Sequence, residues 1–137
     1  MNLIDIIRKQ VLVLDGAMGT QIQARTIPAA AWQGKEGCNE WLNLTAPDVI
    51  RSIHQAYFEA GSDAVETNSF GGSPLTLGEY DLSDKAFEIN RAAAHGYQTG
   101  SRSTALRFDD IVWMGFGKSR LQFLHIRIIR DIDKRIA

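Results

Sequence analysis

Cysteine is almost absent from this chain of 137 residues. The single cysteine, Cys38, excludes an intramolecular disulfide and any metal site built from several cysteines of this chain. No apolar run approaches the roughly 18–20 residues that span a bilayer. The amino terminus carries Asp5 and lacks the basic and then apolar pattern of a secretory signal. We therefore expect a cytoplasmic protein with no membrane partner.

Repeats and low-complexity segments are also absent, and the length indicates one globular unit. The net charge of −1 conceals two regions of opposite charge. Residues 1–95 hold seven basic and twelve acidic residues, whereas residues 96–137 hold eight and four. We predict a boundary there, with a divergent basic tail after it. Because the aromatic residues of the tail are not interleaved with its charges, as a stacking surface requires, we expect no nucleic-acid partner.

The chain is organised around the stretch Val11-Leu-Val-Leu-Asp-Gly-Ala-Met-Gly-Thr20. Its continuous apolar run predicts a strand buried on both faces, as in parallel sheets. Asp15 and Gly16 would lie at the carboxyl end of that strand, where α/β folds bind their ligands. A tight turn without any chemistry is the alternative. The glycine spacing does not match the G-x-G-x-x-G of dinucleotide sites.

A helix and a second strand follow in an order typical of a βαβ unit. The apolar spacing over residues 45–60 predicts an amphipathic helix capped by Thr45 and ended by Gly61. His54 would be a partly exposed structural residue of that helix. Residues 63–70 then predict a strand parallel to the first. Its polar end, Glu66-Thr-Asn-Ser69, would lie beside Asp15 at one edge of the sheet.

The remaining segments complete the predicted organisation. A short helix over residues 2–10 would cover the bottom of the sheet, residues 24–44 would form a long connection, and residues 71–74 a mobile turn. Ser83 would cap a second helix that ends near Ala94. Two such units begin either a (β/α)₈ barrel or a doubly wound sheet. In the tail, residues 111–114 have strand character, which would satisfy part of the exposed sheet edge.

Four segments in register resemble the homocysteine-binding domain of homocysteine S-methyltransferases, especially the amino-terminal modules of cobalamin-dependent methionine synthases. They read Leu14-Asp-Gly-Ala-Met-Gly-Thr20, Asn39-Glu-Trp-Leu-Asn-Leu-Thr45, Pro47-Asp-Val-Ile-Arg-Ser-Ile-His-Gln-Ala-Tyr-Phe-Glu-Ala-Gly61 and Glu66-Thr-Asn-Ser-Phe-Gly-Gly-Ser73. The resemblance covers residues 10–94. It implies an incomplete (β/α)₈ TIM barrel of the α/β class, with roughly the first three β/α units.

The resemblance also implies a ligand and a metal. Members of the family bind homocysteine, hold zinc through three cysteines, and transfer a methyl group to the zinc-bound thiolate, giving methionine. Zinc lowers the pKa of the thiol, so the nucleophilic thiolate forms at neutral pH. The methyl donor, cobalamin-bound or other, stays open. The substrate-binding residues implied here are Asp15, Gly16, Ala17, Glu66, Thr67 and Asn68.

The chain departs from the family in its missing zinc cysteines. In the family these come from later strands, including a Gly-Gly-Cys-Cys-Gly stretch, and Cys38 corresponds to none of them. After Gly96 only Met114-Gly-Phe-Gly117 and His125-Ile126 echo a third-strand segment. We therefore expect a truncated or frameshifted methyltransferase fragment, inactive alone. The alternative is a non-catalytic interaction module that pairs with a complementary barrel fragment or with itself.

Overall fold

Short helices dominate the computed structural model, which describes residues 8–95, 112–113 and 125–127. The predicted helix at residues 2–10 lies largely outside these ranges, as does the segment 114–117. Within the described residues no helix is long and apolar enough to cross a membrane. The α-helices are α1 (Met18–Gln23), α2 (Ala29–Trp32), α3 (Leu42–Thr45), α4 (Pro47–Glu59), α5 (Pro74–Leu77) and α6 (Ala86–His95); the strands are β1 (Val65–Glu66), β2 (Val112–Trp113) and β3 (His125–Arg127).

Helix α4 forms largely where the sequence predicts it. Pro47 occupies the first turn, where its missing N–H costs nothing, and Asp48 faces the positive end of the helix dipole. Gly61 follows the helix with a φ of 106°, a conformation that glycine adopts without a steric penalty. The prediction that Thr45 caps the helix is wrong. The cap position belongs to Ala46, and the Thr45 hydroxyl instead donates to the carbonyl of Trp41.

The first predicted strand pairs in parallel with the second, but only over a short stretch. Leu14 and Ala64 form an isolated parallel bridge, and Asp15 N–H donates to the Ala64 carbonyl at 3.0 Å. The predicted burial on both faces is wrong, because Val11 is 86% and Val13 49% exposed. A strand is shielded from solvent on both faces only where packed layers lie on each side of it. No described element covers these two valines to that extent.

The three named strands form an antiparallel sheet with β3 in the middle. The sheet order is β1-β3-β2, and both pairings are antiparallel, with Val65 opposite Arg127 and Val112 opposite Ile126. Residues 112–113 form a strand as predicted, but they pair with β3, and it is β3 that covers the edge of β1. The described part of the chain combines helices with little strand, and an incomplete barrel of three β/α units is not confirmed.

The segment 24–44, predicted to be a long connection, contains two helices and core residues. Helix α2, a 3₁₀ turn at Asn39–Trp41 and the start of helix α3 lie within it. These elements are shorter than the window over which helical periodicity becomes visible. Burial organises the segment instead. One apolar cluster joins it to α6 and another joins it to α4; their buried members are Cys38, Trp41, Leu77, Leu82, Ala86 and Ile89 in the first, and Ile22, Leu42, Ile50 and Ile53 in the second.

The turn after β1 is fastened to neighbouring elements, although the sequence predicts a mobile turn. Gly71 N–H donates to Glu40 Oε1 at 2.6 Å, and the Asn90 amide donates to the Gly72 carbonyl at 2.7 Å. Ser73 caps α5 by accepting from Thr76 N–H.

Helix α6 begins at Ala86, two residues later than predicted, because a 3₁₀ turn precedes it at Ser83–Lys85. The prediction that Ser83 caps this helix is wrong. The side chain makes no cap hydrogen bond there, and its hydroxyl donates to the carbonyl of Pro74 at 2.7 Å.

Candidate functional site

Two strand ends meet at the carboxylate of Asp15. Its Oδ1 accepts a hydrogen bond from Glu66 N–H at 2.9 Å, while its own N–H donates to the Ala64 carbonyl. A few residues earlier, Val13 N–H donates to Asp63 Oδ2 at 3.0 Å. These cross-strand bonds confirm that the ends of the first and second strand segments lie side by side, as the βαβ order predicts.

The side chain of Asp15 is buried although it is ionisable. Only 3% of the side chain is exposed, and burial is the main cause that raises the pKa of the carboxyl. The Glu66 carboxylate raises it further, and the hydrogen bond from Glu66 N–H acts in the opposite direction. None of the causes is a positively charged side chain. The burial of this carboxylate is therefore offset by backbone hydrogen bonds and not by a described lysine or arginine.

His54 of α4 approaches the same carboxylate. Its Nδ1 lies 3.9 Å from Asp15 Oδ2, and 7% of its side chain is exposed. The prediction of partial exposure is therefore wrong, because α4 turns this side chain toward the strand ends. Burial lowers the pKa of His54 from 6.5 to about 4. The imidazole is neutral at pH 7 and does not neutralise Asp15.

Gly16 and Ala17 form the exposed corner after Asp15, with Tyr57 of α4 beneath them. The Tyr57 hydroxyl donates to the Ala17 carbonyl at 3.4 Å. A Cβ on Gly16 would lie 3.1 Å from that hydroxyl oxygen, closer than most real Cβ contacts. The main chain at Gly16 therefore approaches the tyrosine more closely than a larger residue allows.

The three predicted residues of the second strand end have different surroundings. Glu66 is exposed, whereas Thr67 and Asn68 are buried. Thr67 Oγ1 and Ser69 Oγ share a hydrogen bond of 2.8 Å. The Asn68 amide donates to the Asn39 carbonyl at 2.8 Å and to Asn43 Oδ1 at 3.0 Å. Both amide hydrogens of Asn68 thus hold the 3₁₀ turn and α3 against the strand end.

The arrangement brings two carboxylates to one corner of exposed main chain. The Asp15 side chain is buried there and Glu66 faces solvent. No lysine or arginine is among the groups that shift the pKa of Asp15. An ammonium group is the complementary charge, and exposed main chain at Gly16 and Ala17 offers polar groups to the rest of a small ligand.

Sequence comparison identifies the family of this chain. The sequence model of the homocysteine S-methyltransferases matches residues 12–118. The chain belongs to this family. It is 50% identical over 90 residues to a protein named methionine synthase from Mycobacterium tuberculosis (strain ATCC 25618 / H37Rv). It is 48% identical over 90 residues to the methionine synthase of Mycobacterium leprae (strain TN). Each alignment covers 66% of this chain and 8% of the relative, so the chain spans about 8% of the length of these curated relatives.

A zinc site of the kind expected for a homocysteine S-methyltransferase does not fit the described residues. No group of three or more histidine, cysteine or acidic side chains is placed there to hold a metal ion. Cys38, the single cysteine of the sequence, is 1% exposed in an apolar cluster with Leu77 and Leu82. Burial raises the pKa of this thiol, which disfavours the thiolate that zinc requires.

The sequence alone did not predict that His54 and Tyr57 lie at this site. Both lie on α4, three residues apart, so they share the helix face that meets the strand ends. That spacing, combined with the predicted βαβ packing, was the available signal. The asparagines that fasten Asn68 gave no periodic signal, because they belong to short turns whose position depends on tertiary contacts.

Proposed function

We propose that this chain contributes the amino-acid-binding corner of a homocysteine S-methyltransferase. In that reaction a methyl group passes to the thiolate of homocysteine and methionine is formed. The observation that carries the proposal is the buried carboxyl of Asp15, which joins two strand ends beside the exposed Glu66. Family membership supports homocysteine as the ligand.

The ligand would bind with its ammonium group toward Asp15. No lysine or arginine is among the groups that shift the pKa of the Asp15 carboxyl, so the ligand ammonium would supply the positive charge. A buried charge pair is stabilised when it is also hydrogen-bonded. The ligand carboxylate would contact main chain at Gly16 and Ala17, which are exposed at this corner. Thr67 and Asn68 would shape the floor, because their described hydrogen bonds are made within the protein.

We propose further that the chain alone binds homocysteine without methylating it. A thiol at its ordinary pKa of about 8.5 is mostly protonated at neutral pH and is a poor nucleophile. The described residues present no metal site that would lower this pKa, and Cys38 is enclosed by apolar side chains. Zinc in a complete enzyme would supply that acidification. The residues of this chain would bind and orient the amino-acid end.

A non-catalytic interaction module is the second candidate function. The observation that favours it is the exposure of large apolar side chains, because isolated soluble domains usually expose only small apolar patches. Phe70 is 86%, Leu75 87% and Phe87 78% exposed, in addition to Val11 and Val13 of the first strand segment. In this alternative the chain pairs with a complementary barrel fragment or with a second copy.

Calorimetric titration of the full chain with L-homocysteine under reducing conditions tests the proposal. We expect binding by the native chain, and none to 4-mercaptobutyrate, which keeps the thiol and carboxylate but lacks the ammonium group. Asp15→Asn should weaken homocysteine binding by roughly tenfold or more, the loss of one charge-assisted contact. The matched control Asp84→Asn changes an exposed acidic residue in the 3₁₀ turn before α6 and should bind normally.

Two further measurements separate the candidates. Elemental analysis of the purified chain should find no stoichiometric zinc, and a full equivalent would contradict the inferred absence of a metal site. Ultracentrifugation should find a monomer under the conditions in which the calorimetric titration detects homocysteine binding. Failure to bind homocysteine, together with tight self-association or association with a second barrel fragment, would favour the interaction module.

A further inference from the structure

A buried histidine lies behind the carboxylate that the proposed site uses. His54 Nδ1 and Asp15 Oδ2 are 3.9 Å apart, and the two side chains are 7% and 3% exposed. The other carboxylate oxygen, Oδ1, is fixed by Glu66 N–H at 2.9 Å. The carboxyl group is therefore approached from the strand on one side and from α4 on the other.

The proton on the imidazole decides whether this approach is favourable. A neutral imidazole carries one N–H, and the second nitrogen presents a lone pair. If Nδ1 presented its lone pair to Asp15 Oδ2, two electron-rich atoms would face each other in a buried site. With the proton on Nδ1, the N–H dipole points toward the carboxylate. A shift of roughly 0.8 Å would then give a hydrogen bond of normal length.

We propose that His54 is a positioning residue for Asp15, with a neutral imidazole protonated on Nδ1 that faces Oδ2 and keeps the carboxyl oriented toward the strand ends. The contact spans 39 positions of sequence and couples α4 to the first strand segment. Tyr57 acts from the same face of the helix, through its hydrogen bond to the Ala17 carbonyl. Helix α4 is thus a supporting wall of the site.

The inference concerns the protein without ligand, and only its purpose rests on the proposed function. If Asp15 receives an amino-acid ammonium group, a carboxyl held in one orientation needs less reordering when the ligand binds. Glu66 is the charged side chain that acts on the Asp15 carboxyl. A neutral His54 orients the carboxyl without competing with the ligand for its negative charge.

The tautomer of His54 can be measured directly in the full, unliganded chain. Long-range ¹H–¹⁵N spectra of the imidazole at pH 7 should show Nδ1 protonated and Nε2 unprotonated. The opposite tautomer, or a charged imidazole, would overturn the proposal. This measurement needs no variant, so it decides the matter even if substitutions at position 54 do not fold.

The second measurement is the titration of the Asp15 carboxyl by ¹³C spectroscopy in native and variant chains. His54→Phe keeps a buried ring and removes the N–H, so the pKa of Asp15 should rise relative to the native chain. His54→Gln restores an N–H donor and should reduce that rise. His95→Gln, at the exposed end of α6, is the matched control and should change nothing. A purely structural histidine would lower the melting temperature of His54→Phe and leave the Asp15 titration unchanged, which would overturn the proposal.

The binding assay distinguishes this inference from the proposed function. With a positioning role, His54→Phe should raise the dissociation constant of homocysteine by roughly tenfold, and this effect should disappear in the Asp15→Asn background. If the native chain binds no homocysteine, the proposed function fails, while the tautomer and the Asp15 titration still decide the role of His54. If homocysteine binds and His54→Phe neither shifts the titration nor weakens binding, only the present inference fails.

Discussion

Replacement of Asn68 by alanine should destabilise the protein by about 2–4 kcal/mol, because one buried and one partly buried hydrogen bond are lost and both acceptors lose their donor. The Asn68 amide donates to the Asn39 carbonyl at 2.8 Å and to Asn43 Oδ1 at 3.0 Å. Asn68 and Asn43 are only 5% and 6% exposed, so water does not readily replace the lost donor. The returning bond, from the Asn43 amide to the Asn68 carbonyl, survives the substitution.

Urea unfolding followed by tryptophan fluorescence measures this loss, since Trp41 lies between the two partners of Asn68 in the sequence. The midpoint should fall while the slope with urea stays constant. Gln55→Ala is a matched control, because its amide bonds Glu59 on the exposed side of α4 and should change stability by about 0.5 kcal/mol or less. A loss below about 0.5 kcal/mol for Asn68→Ala would refute the reasoning, because a buried acceptor such as Asn43 Oδ1 costs more than that when it loses its donor. If the variant stays stable but loses homocysteine binding, Asn68 acts on the ligand instead.

The remaining predictions concern a close contact, two titrating groups and the cysteine. Gly72→Ala should destabilise the protein by about 1–3 kcal/mol in the same unfolding assay, because its Cβ would clash with Asn90 Oδ1 and displace the amide that bonds the Gly72 carbonyl. The pKa of His54 is about 4 in the folded protein against 6.5 in the unfolded chain, so the unfolded chain binds more protons between these values. The unfolding free energy should therefore rise by about 3 kcal/mol from pH 4 to 6.5, and His54→Gln should remove this rise. The raised pKa of Asp15 acts oppositely, since stability falls as pH rises above 3.8 and through the folded pKa, so Asp15→Asn should steepen the rise across that window. Cys38 should react with a thiol reagent only after unfolding, and rapid reaction of the native chain would contradict its burial.

The main helix and the meeting of the strand ends were predictable because both depend on strong local signals. Pro47, Asp48 and Gly61 mark helix ends by simple backbone physics, and the βαβ order places the ends of both strand segments together. Asp15 was a candidate for the same reason. The hydrogen bond from Glu66 N–H to its carboxylate is a direct product of that placement.

Other features depend on contacts that no local pattern encodes. The burial of His54 requires knowing that α4 packs on the corner at Gly16, and the amides around Asn68 come from turns far away in sequence. The prediction that the apolar run at Val11–Leu14 is buried on both faces was wrong for a related reason. Apolar composition predicts burial only if other elements cover the residues, and Val11 is 86% exposed.

The antiparallel pairing of β1 with β3 has a consequence for how quickly a partner strand could join the sheet. On one side the segment that contains β1 meets Leu14 in parallel, and on the other side β1 is opposite Ile126 and Arg127. An incoming strand that takes the β3 side must first displace that segment. Joining would then be a strand-exchange reaction, whose rate at high partner concentration is limited by detachment of His125–Arg127 and no longer depends on the partner.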